Sequence, residues 1–354
     1  MRGLAILVMI QCHTFNSFTR LDLRNGGPYV MTQFIGGMAA PLFLFMAGMT
    51  TGFQMESLER REARGVRRWR TALRRAGYIL GIAFTFRFTN WVFAWPWGDW
   101  HEMLRVDILN SMGASMAVLA AAALLRGADR IRFTLSAGVV IAAIAPVVAN
   151  ADWRGVPAIV QEYLAAAPGR RFPLFPWAAY VAFGMGTGEI VKRTAENRLE
   201  RSMQWCVLVG FALIFTSQYF SNLPYSIYDK SSFWLDSPTL VLIRVGVILL
   251  SLAGAYLWTV YGVHPGRWSW MQTLGRNSLM VYWVHVMIVY GSVLQPLKRT
   301  FSIARGALMT LLVTILMLGL SMAWEHWKRR KERKKAGETP AWPSPDCEPA
   351  KTRP

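Results

Sequence analysis

Apolar residues run in long blocks separated by short polar stretches, many of them basic. Ten such blocks can be drawn, at about 2–18, 30–53, 76–95, 106–125, 132–149, 172–192, 203–220, 238–262, 273–296 and 304–327. Blocks near 20 residues with few charges have the length of a helix that crosses a bilayer. The pattern predicts an all-α polytopic membrane protein of about ten transmembrane helices over residues 1–327. A basic, disordered tail is expected at 328–354, where proline is frequent and apolar periodicity is lost. The first block is short because it begins at Met1, which implies an ancestral start slightly upstream. Pro41 falls inside the second block and predicts a kink there. Gly184, Gly186 and Gly188 alternate in the sixth and permit close helix packing, the favoured reading, or backbone approach to a ligand.

The basic residues orient these blocks. Arg60, Arg61, Arg64, Arg67, Arg68, Arg70, Arg74 and Arg75 follow the second block, Arg126, Arg130 and Arg132 the fourth, and Lys192, Arg193, Arg198 and Arg201 the sixth. They alternate with less basic connections at 96–105, 150–171 and 221–237, so the positive-inside bias places both termini in the cytoplasm. The 263–272 loop, with His264 and Arg267, carries the weakest signal. Trp91, Trp95, Trp97 and Trp100 form an interfacial cluster on the opposite side.

Composition sharpens this picture. Of 354 residues, 53% are hydrophobic and 16 are Trp, too apolar for an ordinary soluble fold. The net charge of +19 lies between and after the apolar blocks, so it reports membrane topology rather than nucleic-acid binding. Cys12, Cys206 and Cys347 show no spacing that implies a metal site or a disulfide framework. No small-residue cleavage site follows the first block, so a cleaved signal peptide is not expected.

Ionisable groups at membrane depth are costly and therefore informative. His13 stands eleven residues above Arg2, roughly 16 Å at the helical rise. Arg87 lies slightly above the middle of the third block, Asp107 and Asn110 at the outer entrance of the fourth, and Arg244 about two turns down the eighth. His285 is near the middle of the ninth, with Ser278 and Tyr282 below it. Each has an ordinary alternative: interhelical hydrogen bonding for the histidines, snorkelling for Arg87 and Arg244, and helix capping for Asp107. Arg74 and Arg75 enter the third block and, with Arg276, lie on the side where a cytoplasmic phosphate would be met.

Several of these stretches resemble a known family. Arg2-Gly3-Leu4-Ala5 followed by His13 resembles the opening helix of the transmembrane acyltransferases, and the Pro41–Gly48 stretch resembles the second helix of their heparan-α-glucosaminide N-acetyltransferase branch. Val106-Asp107-Ile108-Leu109-Asn110, Phe172-Pro173-Leu174-Phe175-Pro176-Trp177 and the stretch from Leu274 to His285 are similar to later signatures, in order along the chain. The resemblance implies a ten- or eleven-helix enzyme that moves an acetyl or acyl group from cytoplasmic acyl-CoA to a sugar across the membrane. The Arg-to-His spacing also matches the related acyltransferase-3 O-acyltransferases, whose first-helix His is considered catalytic. By that likeness His13 is the catalytic candidate. From their depth and side, Arg2, Arg74, Arg75 and Arg276 are expected to bind the donor, and Arg87, Asp107, Asn110, Arg244, Ser278, Tyr282 and His285 the substrate. The human-type heparan enzyme uses a His between its first two helices, and residues 14–40 contain none, so N- and O-acylation both stay open.

Acyl transfer needs a base or nucleophile that works near neutral pH, and His serves as either. Arg87 or Arg244 would stabilise the developing oxyanion. The partners expected are membrane lipid, acetyl-CoA or another acyl-CoA, a carbohydrate or glycoconjugate acceptor and, as an option, a second copy of the chain. Neither a metal nor nucleic acid is expected, and the compartment expected is a bacterial inner membrane. A carrier or flippase for an anionic or sugar-linked substrate would use the same intramembrane His and Arg, although no inverted repeat is visible. A sensor or scaffold would use them only as helix contacts.

Overall fold

The computed structural model describes residues 1–94, 99–164, 172–262 and 268–335. Trp95, Trp97, His264, Arg267, Cys347 and the last 19 residues, 336–354, lie outside these. Among the described residues the fold is all helical, with one isolated parallel bridge between Thr19 and Phe301. In chain order the helices are α1 (Arg2–Phe18), α2 (Gly27–Gly36), α3 (Ala39–Arg60), α4 (Gly65–Ala94) and α5 (Ile108–Leu119). There follow α6 (Gly127–Asn150), α7 (Ala158–Leu164), α8 (Leu174–Arg193), α9 (Leu199–Ser221) and α10 (Pro238–Leu257). The last three are α11 (Trp270–Arg276), α12 (Ser278–Tyr290) and α13 (Ile303–Lys335).

By length and composition, five stretches can cross a membrane: Gly27–Arg60, Gly127–Asn150, Glu196–Ser221, Pro238–Gly262 and Ile303–Glu332. Their outer faces are apolar. Trp205, Leu208, Phe215 and Tyr219 on α9 are exposed, as are Leu308, Leu311, Leu312 and Ile315 on α13. Apolar patches of that extent are not left to water, and they fit a lipid-facing belt.

The core centres on α8, which crosses α3 and also packs against α5 and α6. The two helices approach through glycine. A Cβ at Gly184 would lie 2.1 Å from the Phe45 carbonyl oxygen, and one at Gly188 2.4 Å from that of Met49. The alternate glycines are thus packing residues, with Gly186 turned toward Leu135 of α6. Buried charge joins these helices at the end marked by Glu59 of α3, Arg130 of α6 and Glu189 of α8. Arg130 of α6 is fully buried and donates from Nε to Glu189 Oε1 at 2.5 Å and from Nη2 to Glu59 Oε2 at 2.7 Å. Arg193 meets Glu56 at 2.6 Å, so α3 and α8 supply the carboxylates that surround Arg130.

The structure revises several expected boundaries. The second block is two helices, broken at Gly37 and Met38, and Pro41 sits three residues into α3. There its missing N–H costs nothing, because first-turn amides have no intrahelical partner. The basic run is not a loop: from Gly65 onward it is the first part of α4, whose inner face buries Ala72 and Ala76. Arg68 is fully buried and donates to the Ala63, Ala123 and Leu125 carbonyls at 3.2, 2.9 and 2.8 Å. The fourth block ends in a 3-10 turn, Ala120–Leu124, and the ninth divides into α11 and α12, ending at Tyr290. α13 carries the helix through the basic run to Lys335, beyond the point where the tail was drawn.

Candidate active site at the crossing of α1 and α12

α1 sits inside a ring formed by α2, α3, α11, α12 and α13. Its lower end is pinned by close approach: a Cβ on Gly3 would meet the Met271 carbonyl oxygen at 2.1 Å, and one on Gly275 would meet the Gly3 amide at 2.9 Å. Its upper end is pinned by hydrogen bonds. Ser17 donates to the Val289 carbonyl at 2.8 Å, and the Thr14 and Thr310 hydroxyls meet at 2.6 Å. These contacts set both the height and the rotation of His13.

Held in that way, His13 Nδ1 lies 2.9 Å from His285 Nε2. The ring planes are within 10° of parallel and the centroids are 5.1 Å apart. That separation is what two ring radii and the N–N distance add up to, so the two nitrogens lie on the line between the centroids. The rings therefore meet edge to edge in a common plane, along the lone-pair direction, rather than face to face. His285 is fully buried, and its Nδ1 lies 2.6 Å from the Val281 carbonyl one turn below. The Tyr290 ring also packs on His13, edge-on with centroids 5.2 Å apart.

A second set of polar groups flanks α12 one turn below His285. The Tyr282 hydroxyl donates to Asp107 Oδ2 at 2.8 Å, and the Tyr282 ring is 6.1 Å from that of His285. Asp107 is also the N-cap of α5: its Oδ1 accepts from the Ile108 amide at 2.7 Å, and Asn110 completes a capping box. Asn110 in turn donates to the Tyr163 hydroxyl of α7 at 3.2 Å. Arg87 is near enough to act electrostatically on the Tyr282 hydroxyl, and its buried Nε has no hydrogen-bond partner among the described residues.

Two cavities meet at Arg2. The narrower, about 200 Å³, runs between α3, α4, α5 and α12 and is lined by Arg2, Thr50, Arg75, Met112, Ser278 and Tyr282. The wider, about 580 Å³, is lined by Arg2, Trp258, Ser269, Gln272 and Arg276 among others. Arg75 is fixed in the wall of the first by bonds from Nη2 to the Thr50 hydroxyl at 2.7 Å and from Nη1 to Gln54 at 3.3 Å.

Of the residues singled out from the sequence, His13, Tyr282, His285, Asp107, Asn110 and Arg87 fall in one region, and Arg2, Arg75, Ser278 and Arg276 line the cavities. Two fall elsewhere. Arg74 is exposed and lines neither cavity. Arg244 lies over the Trp177 ring at 5.9 Å, close enough to the buried Tyr180 hydroxyl to act on it without a hydrogen bond of good geometry. Thr50, Gln54, Tyr163 and Tyr290 were not singled out. For Thr50 and Gln54 the signal was available, since polar residues four apart in an apolar helix share one face. Among the described residues no group of three or more His, Cys, Asp or Glu side chains is placed to hold a metal ion.

A polytopic helical membrane protein with paired histidines and a carboxylate–tyrosine hydrogen bond beside an arginine-lined cavity is the class these observations define. Residues 1–228 match the family model described as heparan-alpha-glucosaminide N-acetyltransferase, catalytic, and the chain belongs to that family. The matched stretch includes His13, Arg87 and Asp107 and ends before α12, which carries Tyr282 and His285. No curated protein matches the chain significantly.

Proposed function

We propose that this protein is a membrane-embedded acetyltransferase that takes an acetyl or acyl group from acyl-CoA at the cytoplasmic face. It passes the group to a sugar amine or hydroxyl presented from the other side. In this reading the ten apolar blocks are ten spans with both termini cytoplasmic, and the protein resides in a bacterial inner membrane. Family membership supports the transferase class. The observation that carries the reading is the narrow cavity, which extends from Arg2 and Arg75 to Tyr282, one turn from the His285–His13 contact.

The residues fit such a donor. Arg2, Arg75 and Arg276 supply guanidinium groups for phosphates in the cavity walls. The apolar walls of the narrower cavity, with Thr50, Ser278 and Tyr282 interspersed, suit a long arm bearing a few amides. The bound thioester supplies an activated acyl carbon. His13 takes the proton from the acceptor amine or hydroxyl as its nitrogen or oxygen attacks that carbon, and the imidazolium returns the proton to the departing thiolate. In this reading Arg87 stabilises the oxyanion, because Arg244 lies over the Trp177 ring and near the Tyr180 hydroxyl.

Purified protein given acetyl-CoA labelled in the acetyl group and a panel of amino and neutral sugars tests this reading. The expected result is label on one sugar class, lost in His13→Ala. Sugar movement across vesicles without acyl-CoA, and no transfer with it, would overturn the enzyme reading in favour of a carrier.

A further inference from the structure

A base on His13 needs a lone pair on a defined nitrogen, and a free imidazole does not define one. Neutral His exchanges between two tautomers, so a site that depends on one of them must select it. The geometry around α12 contains such a selector.

The chain of reasoning starts at Val281. Its carbonyl can only accept, so the 2.6 Å contact with His285 Nδ1 puts the hydrogen of neutral His285 on Nδ1. Its Nε2 then carries the lone pair and accepts. The group 2.9 Å away is His13 Nδ1, in the plane of both rings, and it must be the donor. His13 Nδ1 therefore bears the hydrogen, and His13 Nε2 bears the lone pair. We infer that His285 is a positioning residue: anchored by the Val281 carbonyl, it fixes His13 in the Nδ1–H tautomer and so presents Nε2 as the base. This inference rests on the reading of His13 as the proton acceptor.

The same geometry removes His285 from contact with the reactants. It is fully buried, and both of its ring nitrogens are engaged, one by the backbone and one by His13. The substrate-binding role expected for it from its depth in the sequence gives way to one exerted through His13. Tautomer selection also has a structural cost that explains the rigid mounting of α1. A shift of one ångström at His13 would break an in-plane bond, and the Thr14–Thr310 and Ser17–Val289 bonds immediately above hold it in place.

Two variants and a spectrum separate this role from simple packing. His285→Gln places an amide oxygen near the position of Nε2 and can still accept from His13 Nδ1–H, whereas His285→Leu fills the space and cannot. The Leu variant is expected to lose about 10²-fold or more in kcat while KM for acyl-CoA changes less than about twofold. The Gln variant is expected to recover most of that loss. Equal kcat in Leu and Gln variants would overturn the inference. The ¹⁵N spectrum of the wild-type protein labelled at histidine reads the tautomer without any turnover. A pyridine-type Nε2 with a protonated Nδ1 on His13 is expected, and it should become a mixture in His285→Leu. A protonated Nε2 on neutral wild-type His13 would overturn the inference whatever the activity, and loss of transfer with that tautomer intact would count against the enzymatic reading alone.

Discussion

The Tyr282 hydroxyl donates to Asp107 Oδ2 at 2.8 Å while Asp107 Oδ1 caps α5, so one carboxylate ties the start of one helix to the middle of another. The two jobs can be separated. Asp107→Ala removes both, and the lost cap alone is worth about 1 kcal/mol. Asp107→Ser restores a cap but is too short to keep the bond to Tyr282. Thermal unfolding in detergent should fall for Ala and largely recover for Ser, whereas acyl transfer should fall for both. Recovery of transfer in the Ser variant would assign Asp107 to capping alone.

The wall of the narrow cavity offers a test with a built-in control. Arg74 and Arg75 are adjacent on α4, so their side chains project about 100° apart. Arg75 is bonded to Thr50 and Gln54 and lines the cavity, and Arg74 is exposed outside it. Arg75→Met should raise KM for acyl-CoA about tenfold, the loss of one charge-assisted contact, with a smaller change in kcat. Arg74→Met should leave both unchanged. Steady-state kinetics with varied acyl-CoA checks both variants.

The outline of the site could be read from the chain, and its pairings could not. Depth follows from the number of residues above a charged foot, so His13 and His285 were placed at similar heights. Their contact joins residues 272 apart and depends on the rotation of two helices, which hydropathy does not record. Asp107 was legible as a cap because capping is local, with Asn110 three residues on. Its bond to Tyr282 is not local and was invisible. Helix α4 was misread at its start because arginines obscure an inner stripe of alanines. The charges around Arg130 were missed for a related reason: Glu56, Glu59 and Glu189 stand at the ends of apolar blocks, where charge ordinarily means water.

Those buried charges make a stability prediction. Arg130 and Glu189 are both fully buried, at 2.5 Å, and removing one partner leaves the other charged and unpaired in a low-dielectric setting. Arg130→Met or Glu189→Leu alone should cost about 3–5 kcal/mol. The double variant should recover a large part of that, limited by the carboxylates of Glu56 and Glu59 that also face Arg130. A double-mutant cycle by thermal unfolding in detergent measures the coupling; additive losses would mean that the pair does not act as a unit.

Glycine substitutions separate packing glycines from the rest. At Gly184 the added methyl would stand 2.1 Å from the Phe45 carbonyl oxygen, which is backbone and cannot move aside without separating α3 from α8. At Gly77 and Gly81 of α4 nothing lies within 4 Å of the same methyl. Gly184→Ala should therefore destabilise by about 1–3 kcal/mol, as overpacking in a close-packed interior does. Gly81→Ala should be neutral or stabilising by up to about 1 kcal/mol, because alanine is the better helix former. The opposite ranking of melting temperatures would show that α3 and α8 are not held at the observed separation. Because α3 also lines the narrow cavity through Met46 and Thr50, Gly184→Ala should raise KM for acyl-CoA as well, and Gly81→Ala should not.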